Sequence, residues 1–172
     1  MRKRPTSLTI RPSTEKDLPY LKTWFSHPSI SIGFPMFGEK EVEDSVQSWK
    51  NYLKQDLSLT ALWEGIPCAM AVLYIQPFKK LAHTCLFSIV VSEEKRGCGI
   101  GSALLQDLIE MAKTSYQIEI LHLEVFEGNP AIHLYEKMGF EVYGKQTHFS
   151  FEEGQYRSKL FMQKRLKNKN TI

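Results

Sequence analysis

The sequence predicts an α+β fold: a mixed sheet of six or seven strands with a central βαβ unit and about four helices. Apolar residues recur at helical spacing in four stretches of the chain. Two pairs of strand-like segments meet across short glycine-containing turns, which is typical of antiparallel hairpins. A further strand follows a helix and so returns parallel to the strand before it, which makes the sheet mixed.

The first half of the chain is predicted to form a short strand, two helices and a hairpin. A capping box at Thr14–Asp17 begins the first helix, and Pro19 is tolerated because it falls in the first turn. Residues 26–39 are too apolar to be only solvated, so we expect them to pack on the protein or cover a site. The predicted elements are strand 8–10, a helix through 18–25, a helix through 42–53, and hairpin strands 59–63 and 68–75.

The stretch Thr84–Leu105 is the one around which the chain is organised. It predicts a central strand over 85–91, a glycine loop, and a helix whose apolar stripe begins at Ile100. Glycines at alternate positions let several N–H groups point at one anion, and Arg96 and the helix N-terminus add positive charge. These glycines are Gly97, Gly99 and Gly101. The stretch therefore predicts a phosphate or pyrophosphate site.

Two other phosphate-binding motifs fit this loop poorly. A P-loop requires Gly-Lys followed by Ser or Thr, whereas Gly101 is followed by Ser-Ala. A dinucleotide fingerprint requires Gly-x-Gly-x-x-Gly in an early βαβ unit, whereas this run is Gly-x-Gly-x-Gly and lies past the middle of the chain.

The second half of the chain completes the predicted sheet. Residues 118–126 form the parallel strand. Asn129 can cap the helix that follows, Pro130 suits its first position, and Gly139 suits the position after its end. A closing hairpin then turns at Glu152-Glu153-Gly154 and ends near Leu166.

Two motifs carry a family resemblance. Arg96-Gly-Cys-Gly-Ile-Gly101 resembles the pyrophosphate loop Arg/Gln-x-x-Gly-x-Gly/Ala of the Gcn5-related N-acetyltransferase (GNAT) superfamily. Residues 129–140 contain the Ala-Ile-x-Leu-Tyr-x-x-x-Gly-Phe of the same superfamily, in the expected order. The last strands look most like the ribosomal-protein and polyamine N-acetyltransferase branches. The resemblance implies an N-acetyltransferase that uses acetyl-CoA as its co-substrate and acts on an amine of a small molecule or a protein.

The resemblance also implies roles for individual residues. Tyr135 stands where relatives have the general acid toward the coenzyme sulfur, and Glu124 stands where some relatives have a general base. The pantetheine arm is expected to pair with the backbone of the central strand, which splays from its parallel neighbour at a bulge. Relatives place an asparagine seven residues before the tyrosine, where this chain has Gly128. The implied coenzyme-binding residues are Ile89, Val90, Val91, Arg96, Gly97, Cys98, Gly99, Ile100, Gly101, Ser102, Asn129 and Tyr135.

Other interpretations of these side chains stay open at this point. Tyr135 also suits a core position on a helix face, and Glu124 also suits an ion pair with a basic residue. His122 lies on the same strand face as Glu124 and is either a second candidate base or a sheet histidine with a structural role. Proton removal through water, without a single base, is a further alternative.

Composition limits the possible functions. The 172 residues predict a single domain with a core over about 7–166 and tails at 1–6 and 167–172. No apolar run reaches membrane length and no apolar segment follows the basic start, so we expect a cytoplasmic protein with no membrane partner. The three cysteines lack metal-ligand spacing, so we expect free thiols and no metal.

The net charge of +3 is gathered at residues 2–4 and 164–169. Because these basic runs are not interleaved with aromatic residues, we interpret them as solvated ends and expect no nucleic acid partner. The alternative to an enzyme is a catalytically silent acyl-CoA-binding sensor or interaction module. A homodimer is also compatible with the sequence.

Overall fold

The computed structural model describes residues 5–166, in which the chain forms seven strands and five α-helices. The strands are β1 (Leu8–Pro12), β2 (Ser58–Trp63), β3 (Ile66–Ile75), β4 (Thr84–Val91), β5 (Ile120–Phe126), β6 (Glu141–Glu152) and β7 (Gln155–Arg165). The helices are α1 (Leu18–Phe25), α2 (Pro28–Ser31), α3 (Gly38–Leu53), α4 (Ile100–Ser115) and α5 (Ala131–Lys137). The sheet order is β1-β2-β3-β4-β5-β7-β6, with β4 parallel to β5, so the mixed sheet is confirmed.

The described residues fall into two compact units. The first comprises residues 5–74 and 88–108, and the second comprises residues 75–87 and 109–166. The division falls inside β3, β4 and α4, so each of these elements contributes to both units.

The first unit is built on the antiparallel strands β1, β2 and β3. Glu64 and Gly65 join β2 to β3 and both have positive φ (52° and 83°), as a two-residue type I′ hairpin turn requires. The core of the unit contains the buried side chains Leu21, Trp24, Phe25, Ile30, Val42, Trp49, Met70, Val72 and Val90. Phe34 and Met36 pack against this core, which confirms that the segment between α1 and α3 is not merely solvated.

The second unit is built on β5, β7 and β6 together with the start of β4. The parallel register of β4 and β5 runs from Thr84 with Ile120 to Leu86 with His122. The antiparallel register of β5 and β7 runs from Ile120 with Arg165 to Phe126 with Lys159.

Most sequence-based boundaries agree with the structure to within one residue, and five do not. β1 extends to Pro12 rather than Ile10, and α3 begins at Gly38 rather than Val42. Residues 28–31 form one helical turn where we expected only a loop, β3 begins at Ile66 rather than Cys68, and β5 begins at Ile120 rather than Ile118. Of the predicted tails at residues 1–6 and 167–172, residues 1–4 and 167–172 lie outside the described residues, with most of the basic residues of both ends. Within 5–166, no helix is both long and apolar enough to cross a membrane.

Candidate active site

The glycine loop, residues 96–101, links the end of β4 to α4. Gly97 and Gly99 have φ of 76° and 82°, in the left-handed region that L side chains rarely adopt. A Cβ built on either residue would meet no atom within 4 Å, so the space beside the loop is open. The loop thus presents its backbone without side chains at these positions.

Helix α4 begins directly from this loop. The Ala103 N–H donates to the Gly99 carbonyl oxygen at 3.1 Å, which makes Gly99 the residue that precedes the first helical turn. The N–H groups of that first turn belong to Ile100, Gly101 and Ser102, and helix geometry gives them no acceptor within the helix. The first turn carries no acidic residue, so the positive end of the helix dipole is not offset there. This arrangement favours an anion.

Arg96 has a structural contact as well as a charge. Its Nη2 donates to the Ser29 carbonyl oxygen in α2 at 3.1 Å. A second contact lies nearby in the sequence of both segments. His27 Nε2, just before α2, lies 2.9 Å from Glu93 Oε2, just before the glycine loop. One polar contact therefore joins the α2 turn to the glycine loop, and a second joins the residue before α2 to the segment that precedes the loop. A guanidinium has five N–H donors, so this bond leaves Arg96 able to bind an anion as well.

The β4 strand changes its burial pattern just before the loop. Cys85 and Phe87 are buried in the first part of the strand, whereas Val90, followed by Ser92 after the strand, is buried at its end. The alternation therefore shifts by one residue near Ser88, as an inserted residue at a β-bulge would produce. The parallel register with β5 ends at Leu86, although β4 continues to Val91.

Tyr135 lies in the second unit, on α5, and is 8% exposed. Its ring contacts Phe87 (centroids 6.1 Å apart) and Phe140 (6.2 Å) in nearly perpendicular orientations. Burial raises the pKa of the Tyr135 hydroxyl, so the side chain is a neutral phenol that can donate a hydrogen bond at neutral pH. The surrounding rings fix the position of this donor.

Both ends of α5 are capped as the sequence predicts. Asn129 Oδ1 accepts a hydrogen bond from the Ala131 N–H at 2.9 Å, so its amide side chain stabilises the start of the helix. At the other end Gly139 has φ of 83°, and the Phe140 N–H donates to the Tyr135 carbonyl oxygen at 3.0 Å. The capping contact gives Asn129 a structural role independent of any coenzyme.

Glu124 lies on β5 and is 39% exposed. Its carboxylate accepts a hydrogen bond from the Lys159 ammonium group of β7, as the alternative interpretation of the sequence expected. His122, on the same face, is half-buried; burial lowers its pKa, and the negative charge of Glu124 opposes this effect without cancelling it. His122 is therefore neutral at pH 7 and retains a lone pair for a proton.

Lys159 is the residue of this face that the sequence analysis missed. Its ammonium nitrogen lies 3.4 Å from the centroid of the Phe149 ring. Basic residues at alternate positions 157 and 159 of a predicted strand were the available signal, since they share one face. The sequence does not reveal that this face adjoins Glu124, because the contact joins residues 35 positions apart across the β5–β7 ladder.

Within the described residues the three cysteines form no disulfide, and they differ in exposure. Cys68 and Cys85 are buried, whereas Cys98 in the glycine loop is exposed. Burial raises the pKa of the Cys68 thiol to about 11, so this residue is an inert part of the core.

The predicted site residues fall into two groups. The residues from Ile89 to Ser102 lie together in the first unit, and Glu124, Asn129 and Tyr135 lie in the second. The first group forms an open, anion-favouring loop at a helix N-terminus. The second contains a neutral phenol donor and a carboxylate that an ammonium ion already contacts.

Comparison with known proteins agrees with this chemistry. Residues 20–140 match the model of the Acetyltransferase (GNAT) family. The L-amino acid N-acetyltransferase AaaT of Escherichia coli is 30% identical over 105 residues, which are 60% of this chain and 65% of that protein. The spermidine N(1)-acetyltransferase of E. coli is 35% identical over 77 residues, 44% of this chain and 41% of that protein. The chain thus covers less than two thirds of these curated relatives.

Solved structures share the fold over nearly the whole chain. The ribosomal-protein-alanine N-acetyltransferase of Brucella melitensis has a TM-score of 0.78 and 31% identity, covering 92% of this chain and 99% of that one. A GNAT superfamily phosphinothricin acetyltransferase from Sinorhizobium meliloti, in complex with acetyl-CoA, has a TM-score of 0.80 and 23% identity, covering 94% and 89%. The predicted fold class is confirmed.

Proposed function

Because the chain belongs to the Acetyltransferase (GNAT) family, we propose that it transfers the acetyl group of acetyl-CoA to a primary amine of a small molecule or a protein. The observation that carries the proposal is the glycine loop, whose open side adjoins the first turn of α4. An anionic coenzyme is the guest that such a loop favours.

In this proposal the coenzyme pyrophosphate accepts hydrogen bonds from the backbone between Gly97 and Ser102, with Arg96 supplying a further positive charge. Pantetheine contains amide groups, so it can pair with the backbone of Ile89–Val91 as a short added strand. The burial shift in β4 and the end of its parallel register at Leu86 support this role for the end of the strand. Residues 7–166 act as one N-acetyltransferase domain.

The proposed chemistry contains two proton transfers of unequal difficulty. An alkylamine has a pKa of about 10.4, so removing its proton at pH 7 costs about 4–5 kcal/mol at about 1.36 kcal/mol per unit. Protonating the departing thiolate, whose pKa is about 8.5, is worth only about 2 kcal/mol. We assign the second transfer to Tyr135, a buried neutral donor. We assign the first to Glu124, provided that its carboxylate exchanges Lys159 for the acceptor amine.

The direct test measures release of free coenzyme thiol from acetyl-CoA over a panel of amines. The panel would contain L-amino acids, di- and polyamines, and peptides with free N-termini. We expect thiol release to depend on at least one amine. A chain that binds acetyl-CoA by calorimetry but turns over with no amine would instead be the silent acyl-CoA-binding module.

A further inference from the structure

The contacts of Lys159 define a small cation site in the second unit. Its ammonium group contacts the Glu124 carboxylate and also lies over the face of the Phe149 ring, 3.4 Å from nitrogen to centroid. The Lys159 side chain is only 14% exposed, whereas Glu124 is 39% exposed. The lysine side chain is thus mostly buried, while the Glu124 side chain keeps more of its surface in contact with solvent.

The register of the sheet explains how this site forms. Glu124 lies opposite Phe161 of β7, and Lys159 lies opposite Phe126, two pairs further along. Because residues two apart on a strand share a face, the lysine reaches the carboxylate diagonally across the β5–β7 ladder. Phe149 comes from the irregular part of β6 and packs against Phe126, with ring centroids 5.9 Å apart.

A carboxylate together with an aromatic face is a combination that recognises an alkylammonium ion. The carboxylate supplies charge-assisted hydrogen bonds, and the ring quadrupole attracts the cation as well. We propose that Glu124 and Phe149 form a binding site for a primary alkylammonium ion, and that Lys159 occupies this site as an internal ligand. An external ammonium ion binds there only by displacing the lysine.

This inference bears on acceptor selection, and that part of it rests on the proposed function. If Glu124 removes the proton of the acceptor amine, Lys159 competes with the acceptor for the same carboxylate. Lys159 is then a specificity-determining residue. It neutralises Glu124, so the site does not attract extra cationic charge, and a polyamine gains no advantage there over an amine with one positive charge.

Equilibrium binding without acetyl-CoA tests the site independently of catalysis. The probe is n-butylammonium, titrated by calorimetry into the wild-type protein and into Lys159→Met, with n-butanol as the uncharged comparison. A tethered group competes at an effective concentration in the millimolar range, so we expect the probe to bind Lys159→Met about tenfold or more tightly than wild type. The alcohol should bind neither protein measurably.

A matched control is available on the same hairpin. Lys145 of β6 forms an ion pair with Glu127 at 2.6 Å, so Lys145→Met removes one positive charge and one ion pair without touching the proposed site. We expect Lys145→Met to bind the probe as wild type does. Adding Glu124→Gln to Lys159→Met should abolish the gain in probe affinity. Circular dichroism establishes that each variant is folded. If Lys159→Met does not fold, Lys159→Gln takes its place.

Two results would overturn the inference. One is equal affinity of the probe for wild type and the folded Lys159 variant, and the other is a gain that persists after Glu124→Gln. If thiol release shows no acetyl transfer to any amine but Lys159→Met gains probe affinity, the ammonium site stands and only its link to acceptor selection fails. If the wild-type protein transfers acetyl groups but Lys159→Met gains no probe affinity, the proposed function stands and the ammonium site is refuted.

Discussion

At the residue scale, the packing role and the proposed catalytic role of Tyr135 belong to different parts of its side chain. Its ring is held by Phe87 and Phe140, so replacing the hydroxyl by hydrogen preserves the contacts that position α5. The hydroxyl is the only part of the side chain that the proposed chemistry requires. A change that removes this one group therefore tests the role directly.

We predict that Tyr135→Phe lowers kcat by about 100-fold, in line with the loss of a general acid, with coenzyme affinity near the wild-type value. The measurement is thiol release with the best amine of the panel, alongside calorimetric titration of coenzyme A. Unchanged turnover in the folded variant would leave Tyr135 with a structural role only.

The glycine loop permits a matched comparison of two glycines. Gly99 and Gly154 have nearly the same positive φ, 82° and 78°, and neither has an atom within 4 Å of an added Cβ. Gly99 lies in the glycine loop, whereas Gly154 lies in the turn between β6 and β7. Alanine at either position therefore has the same backbone penalty in the free protein.

We predict that Gly99→Ala and Gly154→Ala each lower the free energy of unfolding by about 1–2 kcal/mol, the cost of the left-handed conformation for an L side chain. Only Gly99→Ala should weaken coenzyme A binding, by about tenfold or more, which corresponds to about 1.4 kcal/mol. Urea unfolding gives the first quantity and calorimetry the second. Equal coenzyme affinity in the two variants would place the pyrophosphate away from Gly99.

At the element scale, one buried carboxylate joins β1, the start of α1 and β2. Asp17 is 1% exposed and accepts two hydrogen bonds from Arg11, at 2.7 and 2.8 Å. It also accepts from the Thr14 N–H at 2.8 Å and from Thr60 Oγ1 at 3.0 Å. Burial alone would raise the pKa of Asp17, but these hydrogen bonds outweigh it and hold the pKa below its ordinary value.

The sign of the resulting pH dependence follows from this lowered pKa. An aspartate in the unfolded chain has a pKa of about 3.9. The stabilisation of the folded chain by ionised Asp17 is therefore fully present above that pH and is lost as pH falls through the lower folded pKa. We predict that Asp17→Asn lowers the free energy of unfolding at pH 7 by about 1–3 kcal/mol. The difference from wild type should shrink below about pH 4. A difference that stays constant from pH 7 to pH 3 in urea titrations would contradict this account.

The elements also show what a single sequence can predict. Helices α1, α3 and α4 and both hairpins are encoded by apolar periodicity and turn glycines, which are local signals, and their predictions are confirmed. The α2 turn was missed because four residues are too few to show a helical period. The Glu124–Lys159 and Arg96–Ser29 contacts depend on long-range register and packing, so no local pattern specifies them.

At the scale of the whole molecule, coenzyme binding can be measured independently of catalysis through its effect on stability. A ligand that binds only the folded chain stabilises it by mass action, whether or not chemistry follows. The thermal midpoint therefore reports on the glycine loop, and thiol release reports on Tyr135 and the base. Measuring both distinguishes an N-acetyltransferase from a silent acyl-CoA-binding module.

We predict that acetyl-CoA at 100 times its Kd stabilises the folded chain by about 2.7 kcal/mol. For a chain of this length each kcal/mol raises Tm by roughly 2–4 °C, so the expected shift is about 5–10 °C by calorimetric scanning. Pantetheine, which lacks the pyrophosphate, should produce a much smaller shift at the same concentration. In Tyr135→Phe, acetyl-CoA should raise Tm as much as in wild type although turnover is lowered. In Gly99→Ala, most of this rise in Tm should be absent. Because the pyrophosphate is assigned to the glycine loop, an equal shift with pantetheine and acetyl-CoA would refute that assignment.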